Sequence, residues 1–389
     1  MNPQQMISRR TAAIRPSGIR KFFDLAAGRP GVISLGVGEP DFITPWHIRE
    51  AGMYALQKGR TFYTDNRGLL ELRQAICDYQ HRRLGLDYDP VRQVLVTTGG
   101  SEAIDIIMRG LIDPGDEVIL PVPSYVAYDP CITMAGGVPV YVQMTQDKQF
   151  KLLADDLAKA ITPRSKILML NFPSNPTGGI MERQDWQALV PIIKEKGLIV
   201  VVDEIYAELT YTGRRHVSPA CFEQIKDQVI VINGFSKAYS MTGYRLGYIL
   251  AQADLIDAFL KIHQYTCMCA STISQFAGIE AANNADADAE RMRDSFMMRR
   301  NYLVKELNRI GLPTPMPQGA FYVFPNITAT GMTSGQFCLN LLEKENLAVV
   351  PGDAFGSAGE GYARISYAYG LDKIKTALGR LEHFMSACR

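Results

Sequence analysis

The chain has no run of about 20 apolar residues, the length a helix needs to cross a bilayer. Met1 to Arg10 is polar and lacks an apolar signal core, so the expected location is the cytoplasm. Seven cysteines (Cys77, Cys131, Cys221, Cys267, Cys269, Cys338 and Cys388) are scattered, odd in number and outside any CxxC pair. That pattern argues against a disulfide framework and against a thiolate zinc site. The five histidines form no HExxH or related spacing, so no metal is expected. Charge of either sign is not in excess: 41 Lys and Arg against 40 Asp and Glu leave +1. A polyanionic partner such as nucleic acid, or an anionic membrane, is therefore not expected. A Walker A loop is missing, and Gly36-Val37-Gly38-Glu39 lacks the third glycine of a dinucleotide fingerprint. No internal repeat, low-complexity tract or long linker interrupts the chain.

What is present is length and apolar content. At 389 residues and 47% hydrophobic, the chain exceeds the roughly 250 to 300 residues at which one core divides, so two domains are expected. From Val94 to Ile249, β-branched runs alternate with helical patterns: Val94–Thr98, Glu117–Pro121, Pro139–Gln143, Lys166–Asn171, Leu198–Asp203, Val229–Asn233 and Gly247–Ala251. Strands apolar nearly throughout predict an α/β fold, a mostly parallel seven-stranded sheet sandwiched by helices. After Asn284 the texture changes to a long charged helix (286–311), short strands near 320–325 and 363–367, and a final amphipathic helix (371–388). This predicts a large domain over 47–284 and a smaller α+β domain built from 285–389 with the N-terminal segment 1–46.

Ligands of parallel α/β sheets gather at the carboxyl ends of the strands. After Val94–Thr98 comes Gly99-Gly100-Ser101-Glu102, a glycine turn opening a helix, where free backbone N–H groups suit a phosphate. Asp203 ends a buried strand and needs a cationic partner; a protonated pyridine nitrogen would serve. Lys237 follows Val229–Asn233 among small and apolar neighbours, where desolvation or a nearby cation can make its amine nucleophilic enough for a Schiff base. Ser236 and Arg245 would add a hydroxyl and a charged fork for a phosphate. Each admits a plainer reading alone: a tight turn, a salt bridge, a solvated lysine.

Together they carry a resemblance. Asn171-Phe-Pro-Ser-Asn-Pro-Thr-Gly178, Asp203-Glu-Ile-Tyr206, Ser236-Lys237 with Met241-Thr-Gly-Tyr-Arg-Leu-Gly247, and Tyr362-Ala-Arg-Ile-Ser366 are similar to the ordered signatures of class I/II pyridoxal-phosphate aminotransferases of fold type I. The match runs from Val32-Ile-Ser-Leu-Gly-Val-Gly-Glu-Pro-Asp41 to Val350-Pro-Gly-Asp-Ala-Phe355, nearly the whole chain. The resemblance implies pyridoxal 5′-phosphate held by Lys237, which also shuttles the substrate α-proton. It implies Asp203 on the pyridine nitrogen, Asn175 and Tyr206 on the phenolic oxygen, and Tyr125 stacked on the ring. The phosphate falls to Gly100, Ser101, Glu102, Ser236 and Arg245, with Tyr63 reaching over from the second subunit of a homodimer. Arg364 grips the substrate α-carboxylate, helped by Gly38 and Asn175.

Substrate choice is narrowed less. In the typical prokaryotic aspartate subgroup a lysine stands where this chain has Ser101, and His263 to Ser274, where another subgroup places an arginine, contains none. A dicarboxylic donor is thus disfavoured, while 2-oxoglutarate remains an acceptor. Ser17-Gly-Ile-Arg-Lys-Phe22 and Lys261-Ile-His-Gln-Tyr265 are similar to aromatic aminotransferases and to the N-acetyl-diaminopimelate group, with the aromatic reading preferred. Phe22, Tyr63 and Tyr265 are candidates for an apolar side-chain pocket. The same fold and cofactor also serve C–S and β-lyases, which need no acceptor, and regulators fused to a DNA-binding module; no basic helix-turn-helix extension supports the latter.

Overall fold

The structure, a computed structural model, describes residues 6–14 and 29–387. The segment 17–22, with Phe22, and Cys388 lie outside the described residues. The N-terminal part holds α1 (Arg9–Ala13), β1 (Ile33–Ser34), α2 (Trp46–Gln57) and α3 (Leu70–Leu84). Strands and helices then alternate: β2 (Val94–Thr97), α4 (Gly99–Leu111), β3 (Glu117–Val122), α5 (Tyr128–Ala135), β4 (Val138–Gln143), α6 (Ala154–Ala160), β5 (Ser165–Asn171), α7 (Arg183–Lys196) and β6 (Ile199–Asp203). After β7 (Val229–Gly234) and β8 (Gly247–Leu250) come α8 (Ala253–Thr266), α9 (Thr272–Asn284) and the long α10 (Asp286–Arg309). The C-terminal part adds β9 (Tyr322–Val323), α11 (Ser334–Glu345), β10 (Leu347–Ala348), β11 (Val350–Pro351), β12 (Ala363–Ser366) and α12 (Leu371–Ala387).

The seven expected strands form one sheet in the order β2-β8-β7-β6-β5-β3-β4. All neighbours are parallel except β8, which runs against both β2 and β7. Side chains of a strand alternate between faces, and the apolar clusters follow that period: Val200 and Val202 join one, Val201 the other. The sheet is thus covered on both sides, which is why its strands read as continuous apolar runs. A third cluster gathers Leu35, Phe296, Phe321, Leu341 and Leu378. β1 pairs in parallel with β10, so the N-terminal segment joins the C-terminal part. The long helix ends at Arg309, short of Gly311, whose φ of +92° is not helical. Registers Asn171↔Asp203 and Asp203↔Ile232 bring the carboxyl ends of β5, β6 and β7 level, which sets the place of the site.

Candidate active site

A cavity of about 680 Å³ opens at those strand ends. Its wall includes Gly38, Gly100, Ser101, Tyr125, Asn175, Asp203, Tyr206, Ser236, Lys237, Arg245 and Arg364. Residues expected from seven separate stretches of sequence therefore meet in one place.

Asp203, at the end of β6, is buried, and burial pushes its carboxyl up to about 6 although Tyr128 and the Ile205 N–H oppose the shift. The Tyr128 hydroxyl donates to Oδ2 at 2.8 Å and the Ile205 N–H to Oδ1 at 3.0 Å. No cation salt-bridges it among the described residues, so one side of this carboxylate suits a positively charged ring N–H. Asn171 sits beside it: its Nδ2 donates to the Asp203 carbonyl at 3.0 Å and its Oδ1 accepts the Asn175 N–H at 2.9 Å.

Lys237 is partly buried, and desolvation, with Arg245 and Arg364 nearby, brings its amine down to about 8 against the opposing pull of Glu39 and Asp203. Its Nζ donates to the Gly38 carbonyl at 2.7 Å. An amine so placed is nucleophilic near neutral pH.

Arg364, on β12, is 3% exposed and has no carboxylate partner among the described residues. Its Nη1 donates to Asn175 Oδ1 at 2.9 Å, its Nη2 donates to the Gly36 carbonyl, and its Nε is buried without a partner. The guanidinium lies 4.5 Å from the Tyr322 ring centroid and 4.8 Å from that of Phe355. A buried guanidinium held by neutral oxygens and aromatic faces is short of an anion. The backbone oxygen that Arg364 meets belongs to Gly36, while the Gly38 carbonyl faces Lys237.

Gly38 has a separate steric task. A Cβ there would lie 2.0 Å from the Tyr322 hydroxyl, which is 2.8 Å from the Tyr206 hydroxyl. Tyr322, Tyr128 and Asn171 were not among the expected residues. Tyr322 comes from a two-residue strand far along the chain, a signal too short to read as a site.

At the opposite end, Gly99 has φ +77° and turns the chain into α4. A Cβ on Gly99 would approach Arg245 Nη2 to 2.8 Å, and one on Gly247 would approach Gly100 N to 2.8 Å. Glycine thus lets β8 and Arg245 close on the turn that presents Gly100 and Ser101. Tyr125 packs edge-on against Tyr128 with centroids 5.5 Å apart, standing in the cavity wall. The Glu102 side chain is not in that wall. Tyr63 and Tyr265 are 80% and 88% exposed and do not reach the cavity of their own chain.

An unpaired buried arginine, an exposed second arginine over a glycine turn, a depressed lysine and a raised carboxyl suit one ligand with an anionic phosphate, an aldehyde and a basic ring nitrogen. The residues present therefore fit pyridoxal phosphate.

Comparison with known proteins agrees. Residues 30–381 match the family described as aminotransferase class I and II. The chain is 49% identical to YugH, a putative aminotransferase of Bacillus subtilis, over 96% of each chain. It is 43% identical to the probable N-acetyl-LL-diaminopimelate aminotransferase of the same organism, covering 98% of this chain and 96% of that one. The crystal structure of an aromatic aminotransferase from Pyrococcus horikoshii superposes with a TM-score of 0.90 at 39% identity, covering 95% of this chain and 99% of that one. Other relatives carry the name aspartate aminotransferase. With the fold, the site and the whole-length likeness in accord, the chain belongs to the class I and II aminotransferases, transferases that work with pyridoxal 5′-phosphate.

Proposed function

We propose that the protein moves the α-amino group of an aromatic or other bulky neutral L-amino acid to a 2-oxo acid such as 2-oxoglutarate, in two half-reactions at the one cavity. The observation that carries this reading is the count of cations in the wall. Among the described residues, Lys237, Arg245 and Arg364 are its only lysines and arginines. The reading gives them to covalent attachment, the phosphate and the substrate α-carboxylate, so none of these three remains for a distal carboxylate. Ile104, Tyr125, Val126 and Ile205 in the same wall suit an apolar side chain.

When bound, pyridoxal phosphate supplies the aldehyde that captures the amine and the ring that draws electrons from the bond being broken. Lys237 is the anchor; freed by the incoming amine, its Nζ takes the proton from the substrate α-carbon. Asp203 holds a proton on the ring nitrogen by its charge, and Tyr128 and the Ile205 N–H aim it. Asn175 and Tyr206 hold the phenolic oxygen, with Tyr322 fixing Tyr206. Gly100, Ser101 and Glu102 through backbone N–H groups, with Ser236 and Arg245, hold the phosphate. Arg364 takes the α-carboxylate in a fork, with Asn175 and Gly38 beside it.

The working unit is a homodimer in which the exposed Tyr63 serves the phosphate of the second copy; Tyr265 is likewise exposed. Residues 47–284 form the large domain, and 1–46 with 285–389 the small one that brings Arg364 to the substrate. The cysteines are unpaired among the described residues, which suits a reducing cytoplasm. Among the described residues no helix is long and apolar enough to cross a membrane.

Steady-state comparison of phenylalanine, aspartate and the N-acetyl-diaminopimelate donor, each with 2-oxoglutarate, tests the proposal. Phenylalanine is expected to have the highest kcat/KM. A preference for either other donor overturns the aromatic reading, and release of ammonia without acceptor favours a lyase.

A further inference from the structure

We propose that Glu102 and His263 form a positioning pair that locks the first turn of α4 for the cofactor phosphate. The inference rests on the phosphate cup assigned above to Gly100, Ser101 and Arg245. The carboxylate of Glu102 points behind that cup. Its Oε2 accepts the Thr98 N–H, and its Oε1 lies 2.7 Å from His263 Nδ1. Facing a carboxylate, Nδ1 carries the proton. His263 belongs to α8, is 0% exposed, and its other ring nitrogen is buried without a partner.

Four residues on, just past the end of α8, Cys267 places its Sγ 3.0 Å from Thr98 Oγ1. The end of α8 therefore holds Thr98 both through Glu102 and through Cys267. Thr98 directly precedes Gly99, the left-handed residue from which Gly100 and Ser101 enter the cavity.

The chemistry explains why a lock is useful. A carboxylate in the first turn of a helix is drawn to that turn's free N–H groups. Unrestrained, Glu102 would compete with a phosphate for the N–H groups of Gly100 and Ser101, and would add a like charge beside it. Two hydrogen bonds tie it instead to Thr98 and His263, on the far side. Burial alone would raise the Glu102 carboxyl, yet those bonds hold it below its ordinary value, so it stays ionised in this position. The donors left for the phosphate are then fixed in advance, which is what backbone anion binding requires.

The test compares two ligands on the unloaded protein: pyridoxal 5′-phosphate and pyridoxal, which lacks the phosphate. His263→Ala is expected to weaken pyridoxal-phosphate binding about tenfold, the loss of one charge-assisted hydrogen bond, and to leave pyridoxal binding unchanged. His263→Asn, whose side-chain nitrogen can stand where Nδ1 stands, is expected to restore most of the loss. If His263→Ala folds poorly, His263→Leu, which fills the site without a donor, is expected to show the same selective loss, and adding Glu102→Ala, which removes the competing carboxylate, is expected to reverse part of it. Arg245→Ala is the control for the cup. Should Arg245→Ala selectively lose the phosphate-bearing ligand while the His263 variants lose neither or both equally, the positioning pair is refuted and the cup stands. Should Arg245→Ala show no selectivity, the cup itself is wrong and this inference falls with it.

Discussion

Asp203→Asn removes one charge and almost no volume, and its effect has opposite sign in the unloaded and loaded protein. In the unloaded chain, burial raises the Asp203 carboxyl from 3.8 to about 6. That rise makes ionisation harder in the folded state by about 3 kcal/mol, at roughly 1.4 kcal/mol for each tenfold change in acidity. The sign follows from the direction. A carboxyl raised on folding contributes nothing below its ordinary value, destabilises progressively as pH climbs from about 4 to about 6, and does so fully above that. Asparagine carries no such charge, and both existing contacts survive in form: an amide oxygen can accept the Ile205 N–H, and the Tyr128 hydroxyl can turn to accept from the amide. Unloaded D203N is therefore expected to be more stable than the unloaded parent at pH 8, by up to about 3 kcal/mol, and equal to it at pH 4. Loaded D203N is expected to bind pyridoxal phosphate more weakly and to transaminate at least about a hundredfold more slowly, because a neutral amide does not hold a proton on the ring nitrogen. Urea unfolding of both unloaded proteins across pH, with cofactor titration, reads all of this. Equal stability at pH 8, or undiminished cofactor affinity, would refute the reasoning.

Arg364→Lys replaces a fork with a point charge and is expected to lower kcat/KM for the amino donor about a hundredfold, mainly through KM, as measured by initial rates. Gly38→Ala drives a methyl to 2.0 Å from the Tyr322 hydroxyl and is expected to reduce stability by about 1 to 3 kcal/mol and activity with it. The double variant with Tyr322→Phe, which removes the atom struck, should recover part of both in unfolding and rate assays; no recovery would show that the clash is elsewhere. Because the Lys237 amine sits at about 8 and only the neutral form attacks an aldehyde, reconstitution of unloaded protein with pyridoxal phosphate should accelerate as pH rises to about 8 and level off above it. Stopped-flow absorbance across pH checks this, and a rate still rising at pH 10 would show that the amine is not depressed.

The strands inside the sheet were readable because each is buried on both faces and so spelled as an apolar run, unlike the largely exposed edge strand β4; Val200, Val201 and Val202 serve opposite faces without a change of residue type. Asp203 and Lys237 were readable for a related reason, being polar residues at the ends of such runs. The reversal of β8 was not, since an antiparallel strand buried between two others has the same apolar spelling as a parallel one. Tyr322 and Tyr128 escaped notice because a buried tyrosine resembles any core aromatic until its hydroxyl partner is known, and that partner lies 116 residues away for Tyr322 and 75 for Tyr128. The contact of Arg364 with the Gly36 carbonyl was not readable either, since only the path of the backbone past Lys237 decides which carbonyl meets the guanidinium. His263 was read as part of a stretch without arginine; its tie to Glu102 joins positions 161 residues apart and leaves no local pattern.

The central claim is that Lys237 holds pyridoxal phosphate in a site that accepts the amino group of a neutral, bulky amino acid. Its most direct test is an absorbance scan of cofactor-loaded protein as phenylalanine is added without any acceptor, repeated with Lys237→Ala. The account predicts a visible band that gives way to the pyridoxamine form on addition of phenylalanine, and no such band or conversion in the variant. A parent protein without the band, or a band that phenylalanine leaves untouched while aspartate converts it, would contradict the account, the first at the anchor and the second at the substrate.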